Sequence, residues 1–392
     1  MTEQKEYSFQ GYRRNDGRVG VRNHVLVIPT CACSSDVAEM ITRNLPGTVG
    51  IHNQNGCGQV EGDRAMTLKL LAGLAANPNV YGVLLVGLGC EQLKWELVRD
   101  AIRLLTDKPV EAVEIQTCGG VVRTVNEGKR IAEKLVMQAN SCERVTCPVS
   151  NLIVGTNCGG SDPTSGLSAN LVIGYVCDRL ADLGASSIIS ETPEFVGAEK
   201  VLAGQAATPE IGQKILEIVA RCEDKFEALG ENIRSGNPSQ GNKAGGITTL
   251  EEKSLGCIHK AGTRPIQAVL ESCEQVNIKG TVVMDTCAYD VCSVAEMTAG
   301  GAQLTVFSTG RGTPSGNPVA PVLKLTGNEH TASWMEDFID FDTSASLRQE
   351  QTIEELGEAL LQMILRVASG EPVKHELFGI GEIAMPRLCN YC

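Results

Sequence analysis

Apolar runs of strand length alternate with amphipathic helical segments along the first part of the chain, and this alternation constrains the fold more than any other feature. The runs VRNHVLVIPT, VGIHNQ, YGVLLVGLGC and VEAVEIQTC are each followed by a segment with helical periodicity, such as CACSSDVAEMITRNL or KWELVRDAIRLL. Strands that alternate with helices form right-handed βαβ units and a mostly parallel sheet. The sequence therefore predicts an α/β fold of several segments, with mostly parallel sheets and Gly-rich loops at the carboxyl edges of the strands.

The same alternation continues along the rest of the chain, with one interruption. A second series contains the strand NLIVGTNC and the long helix TPEIGQKILEIVARCEDKFEALG. The stretch SGNPSQGNKAGGITTL then breaks the pattern, and its Gly, Asn, Ser and Pro residues are typical of an ordered loop or a domain joint. We therefore predict a first α/β domain at 1–146, a second α/β segment at 147–235 and a C-terminal α/β domain at 236–392.

Charge and hydropathy exclude several classes of protein. The net charge of −13 argues against a nucleic-acid groove and against binding to an anionic membrane surface. The apolar runs are too short to span a bilayer, and the polar start MTEQKEYSFQGYRR lacks the apolar region of a signal peptide. We therefore expect a cytoplasmic protein, in which local positive loops can still bind a small anionic substrate.

The chain contains 16 cysteines, several of them in Gly-rich loops at strand ends. Thiols stay reduced in the cytosol, so a disulfide framework is not expected. Ligands bind at the carboxyl edge of open α/β sheets, and thiols that are far apart in sequence can meet there. Metal or iron–sulfur ligation is therefore the leading interpretation, and small buried side chains are the alternative. The strand-end cysteines of the first domain are Cys31, Cys33, Cys57, Cys90 and Cys118. The terminal pair Cys389 and Cys392 has a C-x-x-C spacing that permits metal binding or redox chemistry.

The stretch NCGGSDPTSG, at positions 157–166, combines a soft ligand with residues that suit anion binding. Gly159 and Gly160 allow backbone N–H groups to approach an anion, and a helix that follows presents its positive N-terminus. Ser161 and Asp162 can bond to substrate hydroxyls, and Asp162 can also ligate a hard metal ion. The alternative for Asp162 is a helix cap. The stretch predicts the floor of a site for an acid substrate, with Cys158 facing a metal.

Other candidate residues follow strands elsewhere in the chain. His52 directly precedes NQNGCGQ, and its imidazole can act as a general base or a metal ligand. Glu191 follows an apolar strand and can face the site from its carboxyl edge. Lys243 and Lys253 flank the loop AGGITTLEE, where either can bind a carboxylate or act as a base.

Two candidates for substrate binding lie nearer the C-terminus. Asp285 ends the strand GTVVMD, and Arg311 lies in the loop STGRGTPSGNP. A guanidinium can bind a carboxylate or a sulfonate through two parallel hydrogen bonds, so Arg311 is the favoured anchor for the acid group of a substrate.

Seven motifs in order along the chain resemble the altronate/galactarate dehydratase family. They are GRVGVRNHVLVIPT, HNQNGCGQ, GLGCE, NCGGSDPTSGLSAN, ETPEFVGAE, GNKAGGITTLEEKSLGC and FSTGRGTPSGNPVAPVLKL. The resemblance extends from about Gly11 to the C-terminus. The resemblance implies a lyase that removes water from an altronate- or galactarate-like 2,3-dihydroxy acid and gives a 2-keto-3-deoxy acid. It also implies dependence on iron, as ferrous ion or an iron–sulfur cluster, or on another divalent metal. The motif cysteines that would ligate it are Cys33, Cys57, Cys90 and Cys158.

The resemblance also bears on partners. Single-chain members of the family carry a small domain before the GRVGVRNH motif, whereas only sixteen residues precede that motif here. The large subunit of sulfolactate sulfo-lyase resembles this arrangement. We therefore expect a separate small subunit and a homo-oligomeric assembly. The alternative function is that of a carbon–sulfur lyase that releases sulfite from sulfolactate.

Two further alternatives belong to other classes. A non-catalytic iron–sulfur protein would show tight C-x₂-C-x₂-C runs, which the body of the chain lacks. A nucleotide-binding dehydrogenase would show G-x-G-x-x-G after the first strand, and PTCACSSD has no glycine there. Both are therefore disfavoured.

Overall fold

The structure is a computed structural model that describes residues 7–387, so Cys389 and Cys392 lie outside the described residues. Its strands form sheets of three, four and seven strands. In chain order the strands are β1 (Ser8–Arg13), β2 (Val19–Gly20), β3 (His24–Pro29), β4 (Thr48–Gly50), β5 (Val80–Gly87), β6 (Val110–Glu114), β7 (Val145–Pro148), β8 (Ile153–Cys158), β9 (Ser186–Ile189), β10 (Ile266–Leu270), β11 (Gly280–Met284), β12 (Leu304–Ser308), β13 (Val322–Thr326) and β14 (Phe341–Asp342).

Helices connect most of these strands. The α-helices are α1 (Ser35–Thr42), α2 (Glu61–Ala76), α3 (Trp95–Arg103), α4 (Ile115–Cys118), α5 (Val121–Asn140), α6 (Asn170–Asp182), α7 (Glu199–Gly204), α8 (Pro209–Ala228), α9 (Ile233–Gly236), α10 (Gln240–Ala244), α11 (Leu250–Ile258), α12 (Asp290–Ala299), α13 (Glu329–Trp334), α14 (Ile353–Ala368) and α15 (Lys374–Leu377). Short 3₁₀ turns lie at Ala32–Ser34, Val149–Asn151, Thr192–Glu194, His259–Ala261 and Ser344–Ser346, and a π-helical turn lies at Ser165–Ala169.

The four-stranded sheet is parallel throughout, in the order β4-β3-β5-β6. Its strands are apolar on both faces because helices cover both. Leu26 and Ile28 of β3 belong to a core cluster that includes Leu70 and Leu74 of α2. Val27, between them, belongs to a second cluster with residues of α1. Parallel strands that are buried on both faces read as continuous apolar runs, and the predicted α/β fold with mostly parallel sheets is confirmed.

The seven-stranded sheet has the order β10-β11-β9-β8-β12-β13-β14, with parallel pairing. Its strands come from both sides of residue 236. From β8 the chain continues to β9 on one side, whereas from β12 it continues to β13 on the other side. The loops after β8 and β12 therefore diverge, and such a switch point opens a crevice at the carboxyl edge of a sheet.

A three-stranded antiparallel sheet, in the order β2-β1-β7, joins the N-terminal residues to the strand before β8. The apolar pattern did not indicate β1, because Phe9 and Gly11 are its only fully buried residues. Among residues 7–387, no helix is long and apolar enough to cross a membrane.

The π-helical turn at Ser165–Ala169 packs against α11 with almost no space between the two backbones. A Cβ added to Gly166 would lie 2.9 Å from the Cα of Gly256. Only glycine permits such an approach. The contact places Cys257, the next residue of α11, beside the end of β8.

Candidate active site

A cavity of about 470 Å³ opens at this switch point, between the loops that follow β8 and β12. Helix α11 and the segment before α12 complete its wall. Its lining includes Gly159, Gly160, Ser161, Lys253, Asp290 and Arg311. Four of these six residues were predicted from sequence as substrate-binding residues, and the fold brings them to one cavity.

The two glycines after β8 have different roles in the cavity. The Gly159 N–H donates to the carbonyl of Ser308, the last residue of β12, at 3.1 Å, so it extends the hydrogen bonding of the sheet. A Cβ on Gly159 would collide with the Asp290 carboxylate. Gly160 has a φ of +58°, which L side chains rarely adopt. Its N–H has no acceptor among the residues that the structure describes. Gly159 thus makes room for Asp290, and Gly160 offers a backbone donor.

Asp290, the first residue of α12, is the one carboxylate of this cavity that has no ion-pair partner among residues 7–387. It accepts a hydrogen bond from Asn157 Nδ2 at 3.2 Å. Burial raises the pKa of Asp290 to about 6, and the bond from Asn157 opposes that rise. A carboxylate with a pKa near the operating pH is well suited to take and return a proton.

Two cations face the same cavity. Arg311 Nη1 donates to the Gly241 carbonyl at 2.8 Å, and no carboxylate of the described chain pairs with its guanidinium. Lys253 Nζ lies 2.8 Å from Glu194 Oε1 and 2.7 Å from Asn237 Oδ1. Since the charge of Lys253 is already compensated, Arg311 is the cation available to an anionic substrate.

Behind the cavity, a fully buried lysine holds two acidic groups. Lys260 Nζ lies 3.0 Å from Cys158 Sγ and 2.9 Å from Glu191 Oε2. The Cys158 N–H donates to the same Glu191 oxygen at 2.8 Å. Cys257 Sγ lies 3.7 Å from Cys158 Sγ. Buried charges persist only when they are paired and hydrogen-bonded, and this cluster meets that condition through residues from three separate parts of the chain.

The protonation of this cluster follows from its shared ammonium. The hydrogen bond with Cys257, together with burial, raises the pKa of the Cys158 thiol well above its ordinary value. Burial also raises the pKa of Glu191, and Lys260 opposes that rise. For Lys260 burial acts to lower the pKa, but Cys158, Cys257 and Glu191 outweigh it and leave the pKa well above normal. Lys260 therefore stays charged, and the Cys158 thiol gives up its proton less readily than an ordinary cysteine.

Glu191 is held in an unusual backbone conformation. Its φ of 72° is left-handed, and its N–H donates to Thr286 Oγ1 at 2.8 Å. Its Oε1 atom is buried and has no hydrogen-bond partner within residues 7–387. A non-glycine residue in this region costs about 1–3 kcal/mol and tends to occur at functional sites.

Asp162 lies beside the cavity and does not line it. Its carboxylate accepts hydrogen bonds from Thr164 Oγ1 at 2.6 Å, Ser165 N at 3.2 Å and Asn328 Nδ2 at 2.8 Å. The residue is 4% exposed. These bonds fix the turn after the two glycines, so the geometry favours a positioning role, and a direct contact with substrate stays a prediction.

Three other predicted residues do not line the cavity. His52 is exposed, with Nε2 3.7 Å from Glu39 Oε2. Lys243 is exposed on α10. Asp285 pairs with Arg221 at 2.6 Å and borders a separate, larger cavity. Their predicted roles in catalysis or substrate binding are not tested by these positions.

The predicted metal ligands are divided between two sheets. Cys33, Cys57 and Cys90 are exposed and follow β3, β4 and β5 of the four-stranded sheet, whereas Cys158 is buried at the end of β8. Backbone hydrogen bonds join the three exposed loops, from Ala32 N to Asn55 O at 2.9 Å and from Gln92 N to Gly56 O at 3.1 Å.

The donor set can be tested against the metal that the family resemblance implies. Groups of three or more ligand atoms within 4.8 Å of one another occur twice among residues 7–387. One group contains the predicted ligand Cys158, with Glu191 and Cys257, and neither contains Cys33, Cys57 or Cys90. A single ion needs such convergence, whereas an iron–sulfur cluster spreads its thiolates over several irons. Exposed thiols on three touching loops therefore fit a cluster better than a single ion.

Sequence reasoning missed the residues that complete the site. Lys260 and Cys257 lie about a hundred positions beyond Cys158, in a segment that reads as an ordinary helix end. Asp290 was overlooked in favour of Asp285, which comes directly after β11. The available signal was the position of Asp290 in the first turn of a helix that follows a parallel strand, where side chains face the carboxyl edge of the sheet.

The fold is α/β, and one cavity is lined both by a carboxylate of raised pKa and by an arginine that has no ion-pair partner in the described chain. Residues 149–390 match the family model described as D-galactarate/Altronate dehydratase, C-terminal. Residues 11–140 match the model of the D-galactarate dehydratase/Altronate hydrolase second domain. The chain therefore belongs to the galactarate/altronate dehydratase family and is a lyase, as predicted.

Curated relatives align over nearly the whole chain. The (2R)-sulfolactate sulfo-lyase subunit beta of Chromohalobacter salexigens is 36% identical over 98% of this chain and 99% of its own length. The altronate dehydratase of Bacillus subtilis is 33% identical over 96% of this chain and 77% of its own length. The galactarate dehydratase (L-threo-forming) of Escherichia coli is 34% identical over 93% of this chain and 73% of its own length.

Proposed function

We propose that this protein eliminates water across C2 and C3 of a sugar acid related to altronate or galactarate and releases a 2-keto-3-deoxy acid. The observation that carries the proposal is that Asp290 and Arg311 both line one cavity at the switch point of the seven-stranded sheet. Elimination from such an acid needs a base for the proton on C2 and a group that neutralises the adjacent carboxylate. The cavity offers one of each.

Arg311 and Gly160 are the proposed carboxylate site. The guanidinium has no protein carboxylate as a partner in the described chain, and the Gly160 N–H points to no protein acceptor there. Charge-assisted bonds from arginine to a carboxylate are roughly twice as strong as neutral ones. Neutralising the carboxylate also makes the C2 proton more acidic, because the carbanion formed there is stabilised by the same donors.

Asp290 is the proposed general base. Its carboxylate takes the C2 proton, and the C3–O bond breaks as the C2–C3 double bond forms. The leaving hydroxyl departs as water with the proton that Asp290 returns to it. The enol product then becomes the 2-keto acid in a second proton transfer. A pKa of about 6 keeps Asp290 mostly deprotonated at neutral pH and still basic enough to act.

The leaving hydroxyl also needs assistance. Cys33, Cys57 and Cys90 would hold an iron–sulfur cluster on the exposed loops of the four-stranded sheet. Iron of this kind would supply Lewis acidity toward a substrate hydroxyl. The buried cluster of Cys158, Glu191 and Lys260 instead supports the cavity floor, because Lys260 Nζ bonds to the thiol at 3.0 Å and to the carboxylate at 2.9 Å.

A second candidate is elimination of sulfite from sulfolactate. It is favoured by the end-to-end alignment with the sulfo-lyase subunit beta. The base would have the same role, since the proton removed is again next to a carboxylate. Arg311 would bind one of the two acid groups of sulfolactate, because Lys253 is already paired with Glu194.

A substrate panel separates the two candidates. The air-free, iron-loaded protein is assayed with altronate, galactarate and sulfolactate, and release of 2-keto-3-deoxy acid and of sulfite is measured separately. Turnover of a sugar acid with no sulfite release from sulfolactate supports dehydration. Sulfite release alone supports the second candidate, and turnover of none of the three when the small subunit proposed below is also present contradicts both.

We also propose a separate small subunit, because one relative is named as a subunit. The homogeneous chain alone should then turn over weakly, and adding the small subunit should restore the rate. Full activity of the chain by itself would contradict this. Homo-oligomer formation stays a prediction that light scattering of the purified chain can test.

A further inference from the structure

A second group of soft and acidic side chains lies apart from the candidate active site. Cys287, Cys292 and Glu296 each offer one ligand atom, and these three atoms lie within 4.8 Å of one another. Cys287 belongs to the segment between β11 and α12. Cys292 and Glu296 lie one turn apart on α12, so they project from the same helix face.

The carboxylate of this group is buried without a cation. Glu296 is 2% exposed and accepts hydrogen bonds from Ser272 Oγ at 2.6 Å and from the Cys287 N–H at 3.4 Å. No lysine or arginine of the described chain pairs with it. A buried carboxylate that lacks a cation requires either a proton or a metal ion.

We propose that Cys287, Cys292 and Glu296 bind one divalent transition-metal ion of the zinc or ferrous class. Two thiolates and one carboxylate suit such an ion, and neither calcium nor magnesium accepts thiolate ligands well. A site with three protein ligands keeps one position open. Cys287 and Glu296 border a cavity of about 990 Å³, whose lining also includes Ser272, Cys273, Asp285 and Arg387.

This site is separate from the thiols considered for the iron of the family. Its ligands come from the segment after β11 and from α12, whereas Cys33, Cys57 and Cys90 follow strands of the other parallel sheet. The proposed metal site is nevertheless close in sequence to residues of the candidate active site. Ala288 and Asp290 both line the catalytic cavity, and they lie between the ligands Cys287 and Cys292. A metal bound there would fix the segment that positions Asp290.

Cobalt(II) titration of the chelator-treated, air-free protein tests the proposal, because cobalt replaces zinc or ferrous ion and reports thiolate ligation by charge-transfer absorption. The wild type should bind one more equivalent of cobalt than the Cys287→Ser/Cys292→Ser variant, and the variant should lose the corresponding absorption. Cys222→Ser is the matched control, since Cys222 borders the same cavity outside the cluster. It should keep the wild-type titration.

A second variant guards against misfolding of the first. Glu296→Gln keeps both thiols, so it should keep a cobalt–thiolate band with affinity reduced by at least about tenfold, in the range that mutation at metal sites produces. The melting temperature of each metal-free variant shows whether the fold survives.

Equal cobalt binding by the wild type and the double variant would overturn the proposal. So would a Cys287–Cys292 disulfide in protein purified without air, because those thiols would then not be ligands. The elimination assay is independent of this readout, so failure of the metal site and failure of the proposed activity can be told apart.

Discussion

The carboxyl edges of the two parallel sheets both present cysteines, yet they place them in opposite environments. Cys33, Cys57 and Cys90 are exposed on touching loops of the four-stranded sheet. Cys158, at the edge of the seven-stranded sheet, is buried against Lys260. The exposed thiols face solvent, whereas the hydrogen bond with Cys257 and burial raise the pKa of the Cys158 thiol well above its ordinary value. Position at a strand end therefore indicates where chemistry can occur, and burial decides which chemistry.

The strongest test of the site at the carboxyl edge of the seven-stranded sheet is Asp290→Asn. The amide cannot act as a base, so kcat should fall by about 10²- to 10⁴-fold. In the wild type, kcat/KM should fall as the pH drops through about 6, because protonation removes the base. That acid limb should be absent from the residual activity of the variant. Asp182→Asn, an exposed carboxylate paired with Arg264, is the control and should retain both rate and pH profile. An unchanged acid limb in Asp290→Asn would assign the limb to another group.

Lys260→Met tests whether the buried ammonium stabilises the cluster of Cys158 and Glu191 behind the cavity. The change leaves Glu191 and Cys158 buried without their cation, and removing one partner of a buried pair costs about 3–5 kcal/mol of unfolding free energy. Lys214→Met, on the exposed face of α8, is the matched control and should change stability by no more than about 0.5 kcal/mol. Equal denaturation midpoints for the two variants would mean that the ammonium does not stabilise the cluster.

The two neighbouring glycines provide a comparison within one loop. Gly159→Ala places a methyl group against the Asp290 carboxylate, and misplacing a catalytic group by about 1 Å can cost about 100-fold in rate. Gly160→Ala instead strains a left-handed backbone, which costs about 1–2 kcal/mol of stability. We therefore expect kcat to fall mainly in the first variant and the melting temperature mainly in the second. The reverse result would remove the argument that Gly159 makes room for the base.

Asp162→Asn tests the turn that follows these glycines. The carboxylate accepts from three partners, and an amide must turn its NH₂ toward at least one of them. Leaving a buried donor unmatched costs about 1–3 kcal/mol. Thermal melts should therefore show a clear loss of stability, with turnover reduced only in proportion to the folded fraction. A fall in turnover by orders of magnitude at an unchanged melting temperature would instead make Asp162 a substrate ligand.

The smallest effect on stability is expected for changes to the exposed cysteines on the loops of the four-stranded sheet. Changing Cys33, Cys57 and Cys90 to Ser should alter the stability of the iron-free chain by no more than about 0.5 kcal/mol each, because exposed side chains lose little on substitution. The triple variant should nevertheless lose bound iron and its charge-transfer absorption. Full iron content in this variant would place the iron elsewhere in the chain.

The sequence sufficed for the fold class and for half of the cavity. Parallel strands alternate with helices, so Gly159, Gly160, Ser161 and Arg311 could be placed at a sheet edge from local patterns alone. The environment of Cys158 could not be found in this way. It depends on Lys260, about a hundred residues away, and on a close glycine contact that brings α11 against the end of β8. Such packing is a property of the folded chain, and no local pattern carries it.

Asp290 and Asp285 show the same limit on a smaller scale. Both follow β11, and the nearer one was the natural choice. Only the folded chain shows that Asp285 forms an ion pair with Arg221, whereas Asp290 lines the cavity and accepts a hydrogen bond from Asn157. Where two acids compete for one role, their long-range partners decide between them.

The contact between Gly166 and Gly256 has a consequence for any attempt to redesign substrate range. Two backbones that already touch cannot move closer, and any added side chain would push α11 and its Lys253 outward. Engineering for a longer acid should therefore leave this wall intact and alter the opposite one, where Ser239 and Gly241 border the cavity. Libraries directed at α10 should yield more folded variants than libraries directed at α11.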